Sequence, residues 1–260
     1  MTLKKITGFN LGLVVILTFA AFVDIWWLPG TRFWLTTVTT LTTFSFAFLH
    51  AGQNLGWRKA TLLMVVVFVV SISFESIGVL TGAIYGPYHY TDRLGPKFLG
   101  LVPYIIPVAW FMMMYASLAI AEHLIPNHHA ALAERRLLVS AVGAMIMTAW
   151  DLALDPLMVA GGHWVWEVEG AYFGIPLKNF WGWWLTSFVS LQVFQMLAGL
   201  IKRDAPAEDP APYRWVVFSY LIIGGSTVVI NFSIGLPGPG MVGLFAMLPW
   251  GLMGLFAKRD

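Results

Sequence analysis

Long apolar runs recur from one end of this 260-residue chain to the other, and that pattern limits its fold more than any single motif. Runs of 18 residues or more are read as membrane spans rather than as pieces of a soluble core, because about 20 residues of helix cross the hydrocarbon layer. About eight candidate helices follow, at 6–28, 34–52, 60–82, 99–122, 134–155, 178–201, 214–236 and 240–257. The last is short and contains Pro249, which leaves seven spans as the alternative. Pro103 and Pro107 are expected to kink the fourth helix, which neighbouring helices make tolerable in a membrane. The fold class is therefore all-α, a polytopic transmembrane bundle, read as one integral-membrane domain over residues 1–260. The charged, Pro-rich stretch 202–214, "KRDAPAEDPAPYR", is expected to be a flexible linker. No internal repeat is evident.

Charge is scarce, at 11% of residues, where soluble domains carry about 25%. It is also one-sided. With both termini on one side, that side receives Lys4, Lys5, Arg58, Lys59, Arg135, Arg136, Lys202, Arg203, Arg214, Lys258 and Arg259. The other receives Arg32, Arg93, Lys97 and Lys178. The positive-inside rule then predicts cytoplasmic termini in the cell (cytoplasmic or inner) membrane. The opening "MTLKK" and its apolar sequel extend to about Leu28 without a small-residue cleavage site, and are read as a retained first helix. The chain has no cysteine, which excludes disulfides, thiolate metal sites, iron–sulfur clusters and a cysteine nucleophile. A net charge of +2 is too small to suggest nucleic acid as a partner.

Against this background three acids stand out within apolar segments: Glu75, Asp151 and Asp155. A charge at mid-membrane costs about 2.5–3.5 kcal/mol on insertion scales, so such residues are paired or functional. Asp151 and Asp155 share a helix face, with Cβ atoms about 5–6 Å apart. Two carboxylates in a low-dielectric site repel each other, and desolvation acts in the same direction. The negative end of the helix adds to both if the helix stops there. At least one carboxyl is therefore expected to hold its proton at pH 7. Structural readings stand beside this one. Asp155 followed by Pro156 is an ordinary helix start, and Ser71, Ser73 or a positive side chain would satisfy Glu75.

Two long loops, about 83–98 and 156–177, fall on the same side as these acids and are rich in aromatics. Tyr85, Tyr88, Tyr90, Trp164, Trp166, Tyr172 and Phe173 are candidates to stack on an extended apolar ligand or to stabilise a cation by about 0.5–2 kcal/mol each. Trp26, Trp27, Trp34, Trp181, Trp183 and Trp184 are read as an interfacial belt. Of the scattered histidines, His50, His89, His123, His128, His129 and His163, only His89 and His163 lie on the aromatic side, where either could orient a water or a carboxyl. Their spacing lacks the clusters of a membrane di-iron enzyme, and no metal site is expected. Asn179, at the entry to the sixth helix, is a candidate hydrogen-bond donor.

A neutral carboxyl, a second carboxylate, aromatic faces and an apolar surround suit acid chemistry on a carbon–carbon double bond. Protonation gives a tertiary cation that needs π faces and a nearby negative charge. A water activated by a carboxylate base then adds to it. The segments "FESIGVLTGAIYGPYHYTDRLGPKFLGLVPYIIPVAW" and "AWDLALDPLMVAGGHWVWEVEGAYFGIPLKNFWGWW" resemble the CruF-type integral-membrane carotenoid hydratases, the γ-carotene 1′,2′-hydratase and bisanhydrobacterioruberin hydratase group. The resemblance runs from about the second helix to the eighth. It implies a carotenoid with an open ψ-type end (lycopene, γ-carotene or an elongated carotenoid) as substrate, water as co-substrate, membrane lipid as surroundings and no organic cofactor. It draws attention to Glu75, Tyr88, His89, Asp151, Asp155, His163, Trp164, Tyr172 and Asn179. The residues themselves assign Asp151 as acid and Asp155 or Glu75 as base, with the rings stabilising the cation. Three alternatives remain at this stage: a magnesium-dependent prenyltransferase, a proton-coupled transporter and a non-catalytic pigment-binding protein. Oligomeric state is not legible.

Overall fold

The computed structural model describes residues 2–27, 32–126, 131–201, 204 and 207–257. Their architecture is helical: α1 (Leu3–Trp27), α2 (Arg32–Leu55), α3 (Trp57–Thr81), α4 (Ile105–Leu124), α5 (Leu132–Ala160), α6 (Leu177–Ala198), α7 (Tyr213–Ser233) and α8 (Pro237–Phe256). Six of these are long and apolar enough to cross a membrane: α1, α3, α4, α5, α7 and α8. The protein is a multi-pass membrane protein. The helices α2 and α6 are as long but more polar, because their polar residues turn inward. Thr36, Thr39, Thr40 and Thr43 of α2 border an internal cavity, and Asn179, Thr186, Ser187, Ser190 and Gln195 of α6 are buried.

The hub is α4, which touches α2, α3, α5, α7 and α8. Of its apolar window 72% is buried, against 17% for α1, which packs only on α2 and α7 among the principal contacts. At one end of the bundle the α1 start meets the charged linker through Lys4 and Asp209 at 2.6 Å. There Asp204 accepts from the Arg58 amide at 3.0 Å at the start of α3, and His123 of α4 stacks on Tyr213. His50 bridges the Tyr115 hydroxyl, at 2.7 Å, and the Pro212 carbonyl, at 3.1 Å.

The opposite end carries a cap of four short strands: β1 (Tyr88–Tyr90), β2 (Lys97–Phe98), β3 (Val102–Pro103) and β4 (Trp164–Trp166). β1 pairs antiparallel with β4, placing Tyr88 opposite Trp166 and Tyr90 opposite Trp164. β2 pairs with β3. Gly82, with φ of 64°, ends α3 and turns the chain into this cap. At Gly182 of α6 there is no room for a Cβ, because the Tyr85 ring lies against the backbone. That close approach lets Tyr85 sink to 1% exposure and bond Thr186 at 2.7 Å.

Several sequence expectations change. The fourth helix begins at Ile105, so Pro103 lies in β3 and Pro107 in the first helical turn, where a missing N–H has no intrahelical partner to lose. Neither is a mid-helix kink. The fifth helix continues through Pro156 to Ala160, so Asp155 is a helix-interior residue rather than a cap. Trp183 is not part of an interfacial belt but lies 8% exposed inside the bundle, whereas Trp181 is 58% exposed. Residues 128, 129, 202, 203, 258 and 259 and the side chains of Trp26, Trp27 and Trp34 lie outside the described residues.

Candidate functional site

Glu75 faces inward six residues before the end of α3 and is 3% exposed. Side chains alternate along a strand, so β1 turns Tyr88 and Tyr90 to one side, and both hydroxyls donate to Glu75 Oε2, that of Tyr90 at 2.9 Å. Trp110 of α4 donates its indole N–H to Oε1 at 3.0 Å. These three donors, not Ser71, Ser73 or a cation, satisfy the carboxyl. Burial, and after it the Glu75 charge, push both phenols well above their ordinary range, so they stay protonated donors.

The same strand alternation serves the second acid group. Trp164 and Trp166 project to one side of β4 and donate to Asp155 Oδ1 at 2.9 and 3.1 Å. Asn179, at the start of α6, uses its two amide hydrogens on two acids: Nδ2 lies 2.7 Å from Asp155 Oδ2 and 2.7 Å from Asp151 Oδ2. Asp151 is fully buried, and its Oδ1 has no hydrogen-bond partner. The two aspartates are thus held together by one amide, with three donors on Asp155 and one on Asp151.

Pro156 explains a further residue. Lacking an N–H, it cannot bond the carbonyl of Leu152 one turn earlier, and the Tyr172 hydroxyl donates to that carbonyl at 2.8 Å. Burial pushes this phenol up to about 12. Tyr172 repairs the helix that carries the aspartates.

A cavity of about 460 Å³ opens between these groups, within the size range of ordinary small-ligand sites. Glu75, Asp155 and Asn179 border it with Tyr85, Tyr88 and Tyr90. His163, Trp164 and Trp166 complete that end. The threonine face of α2, Ile230 of α7 and Ile234 just after it also line the cavity. Four sequence candidates fall elsewhere. Asp151 lies behind Asp155, outside the cavity wall. His89 occupies the outward position of β1 and meets Glu167 at 3.2 Å, both well exposed. Tyr172 contacts the Leu152 carbonyl, and Phe173 is 55% exposed. The period-two alternation that brings Tyr88 and Tyr90 in sends His89 out.

Sequence reasoning missed the ring wall inside the bundle. Trp110 stacks on Trp183 at 4.2 Å between centroids, and Trp150 meets Trp183 edge-on at 6.2 Å. All three border the cavity. The signal available was an indole N–H placed deep in an apolar helix, as at Trp110, where it needs an acceptor.

Comparison with known proteins agrees with the carotenoid resemblance. The family model described as "Carotenoid biosynthesis protein" matches residues 30–249. A bisanhydrobacterioruberin hydratase from Haloarcula japonica is 34% identical over 154 residues, 57% of this chain and 51% of that one, so the match spans about half the relative's length. No solved structure matches. The family match starts just before α2 and reaches into α8, and so contains every acid, indole and phenol of the site: this chain belongs to the carotenoid biosynthesis protein family.

Proposed function

We propose that the protein is a carotenoid hydratase, adding water across the terminal double bond of an open-ended carotenoid to give a tertiary alcohol. The observation that carries this reading is that two acids border one aromatic-lined cavity: Asp155, tied to Asp151 by a single amide, and Glu75, with three donors of its own.

Two carboxylates this close in a low-dielectric site do not both ionise, so the pair shares a proton. Asp155, on the cavity wall, delivers it. The alkene π electrons form the new C–H bond, and the positive charge remains on the tertiary carbon. Trp110, Trp150 and Trp183 offer π faces to that charge. Glu75, ringed by three donors, supplies the opposing charge in its ionised form, and those donors need not reorganise. A water oxygen then forms the C–O bond, and its spare proton passes to a base. One proton is taken from the acid and one is given up by water, so the sum is the addition of one water.

The cavity takes one end of a carotenoid and leaves the rest of a long polyene to the surrounding lipid. The expected setting is the cell membrane, with the capped end outward.

Expression in a host that accumulates lycopene, followed by mass analysis of the pigments, tests the reading. The expected result is a gain of one water per modified end, and its disappearance in Asp151→Asn with the protein still inserted. No gain with lycopene, γ-carotene or elongated acyclic carotenoids would refute it.

A further inference from the structure

The hydration scheme needs a base for the attacking water, and Glu75 and Asp155 are poorly placed to be it. Glu75 Oε2 already takes two hydroxyl donors, and Asp155 serves as the acid of the same cycle. A further proton on Glu75 displaces a donor and removes the charge that opposes the cation. A different cavity residue has an unpartnered ring nitrogen. His163 borders the cavity, and its Nδ1 is buried with no hydrogen-bond partner. An unpaired buried polar atom costs about 1–3 kcal/mol, which a water admitted to Nδ1 from the cavity would recover.

The surrounding structure fixes this ring. The His163 carbonyl accepts from the Thr91 amide at 3.0 Å, and Gly162, at φ 67°, makes the turn into it. The imidazole lies against the Cα of Gly161, where an added Cβ would stand 2.9 Å from Cδ2 and 3.0 Å from Nε2. Arg93, whose guanidinium donates to the Gly161 carbonyl at 2.5 Å, is the charge that faces the ring. The other charges of the cap point elsewhere: Asp92 pairs with Lys97 at 2.9 Å, and His89 with Glu167 on the outward side of the ribbon. Asp155 is held by the Trp164 and Trp166 indoles. Burial first, and Arg93 second, hold the imidazole below its ordinary value of 6.5. It is therefore neutral at pH 7, with a lone pair available.

We propose that His163 is the catalytic base that takes the proton from the attacking water through Nδ1. This assignment rests on the hydratase reading. As the water oxygen bonds to the tertiary carbon, one O–H bond breaks and its proton moves to Nδ1. The resulting imidazolium beside Arg93 is disfavoured and loses its proton to solvent water, and the aspartate pair is recharged from water for the next cycle. Histidine bases commonly contribute about 10²–10⁴-fold.

The test uses the full chain in lipid nanodiscs with an acyclic carotenoid that the wild type hydrates. His163→Gln should lower kcat by about a hundredfold or more with KM unchanged, and abolish the acidic limb of the kcat/KM profile. That limb, in the wild type, falls as pH drops below 6.5 and the imidazole gains a proton. Free imidazole should restore turnover to His163→Ala. Arg93→Gln should move the acidic limb to higher pH, because the charge opposing the imidazolium is gone. Gly161→Ala, whose φ of −73° a side chain accepts, should slow the step by displacing the ring. Carotenoid binding, followed by its absorption, should survive in every variant. An unchanged rate and acidic limb in His163→Gln would overturn the assignment and leave the hydratase reading standing. A wild type that hydrates no carotenoid would remove both.

Discussion

Replacing Glu75 by Gln separates the charge of this site from its packing. In the wild type, Oε2 receives the Tyr88 and Tyr90 hydroxyls and Oε1 the Trp110 indole. A glutamine can keep its carbonyl toward Trp110 and turn its NH₂ toward the two hydroxyls, which then accept. The shape is conserved and a buried charge disappears, so stability should stay within about 1–2 kcal/mol of the wild type. Catalysis should not. At an effective dielectric of about 20 and a separation of about 5 Å, a full negative charge stabilises a carbocation by about 3 kcal/mol, equivalent to a few hundredfold in rate. Single-turnover conversion of a bound carotenoid, with thermal unfolding on the same samples, gives both numbers. A Glu75→Gln protein that turns over within about threefold of the wild type, at unchanged melting temperature, would show that Glu75 is not the counter-charge.

The other expectations concern the scaffold beneath the acids. Asn179→Ala removes two amide hydrogen bonds from buried carboxyls that share one proton, at about 1.5–3 kcal/mol for the charged acceptor and about 0.5–1.5 kcal/mol for the neutral one. A loss of about 2–4.5 kcal/mol should appear as a lower melting temperature in nanodiscs, and an unshifted transition would contradict the bridging geometry. Tyr172→Phe strands the Leu152 carbonyl that Pro156 cannot serve. It should cost about 1–3 kcal/mol, and a Pro156→Ala change in the same chain should restore most of it by supplying the missing N–H. Failure of that second change to rescue would mean the hydroxyl serves another purpose.

The helices and the acids were legible in the sequence because both are local signals. Apolar runs of the right length marked the spans, and Glu75, Asp151 and Asp155 were conspicuous against them. What the sequence hid was pairing at a distance. "YHY" and "WVW" each alternate as strands do, but they sit in loops crowded with Gly and Pro, and nothing local says that 88–90 lies beside 164–166. Without that register the inward and outward residues of the ribbon could not be sorted, which is why His89 joined the candidates. Asp155–Pro156 read as a helix start because the compensating hydroxyl, Tyr172, comes from another segment. Glu75 and Asp155 kept their prominence, but the partners that define their chemistry arrive from β1, β4, α4 and α6.

The β1–β4 ribbon also bears on biogenesis. Its phenols anchor an acid on the third helix and its indoles an acid on the fifth, though each strand is three residues long. During synthesis the third helix enters the bilayer well before residues 164–166 leave the ribosome, so the ribbon completes its work only after both halves of the chain have met. Maturation of the bundle is then a single late event, and fragments ending before the fourth strand should be held by the insertion machinery or degraded rather than accumulate as stable intermediates.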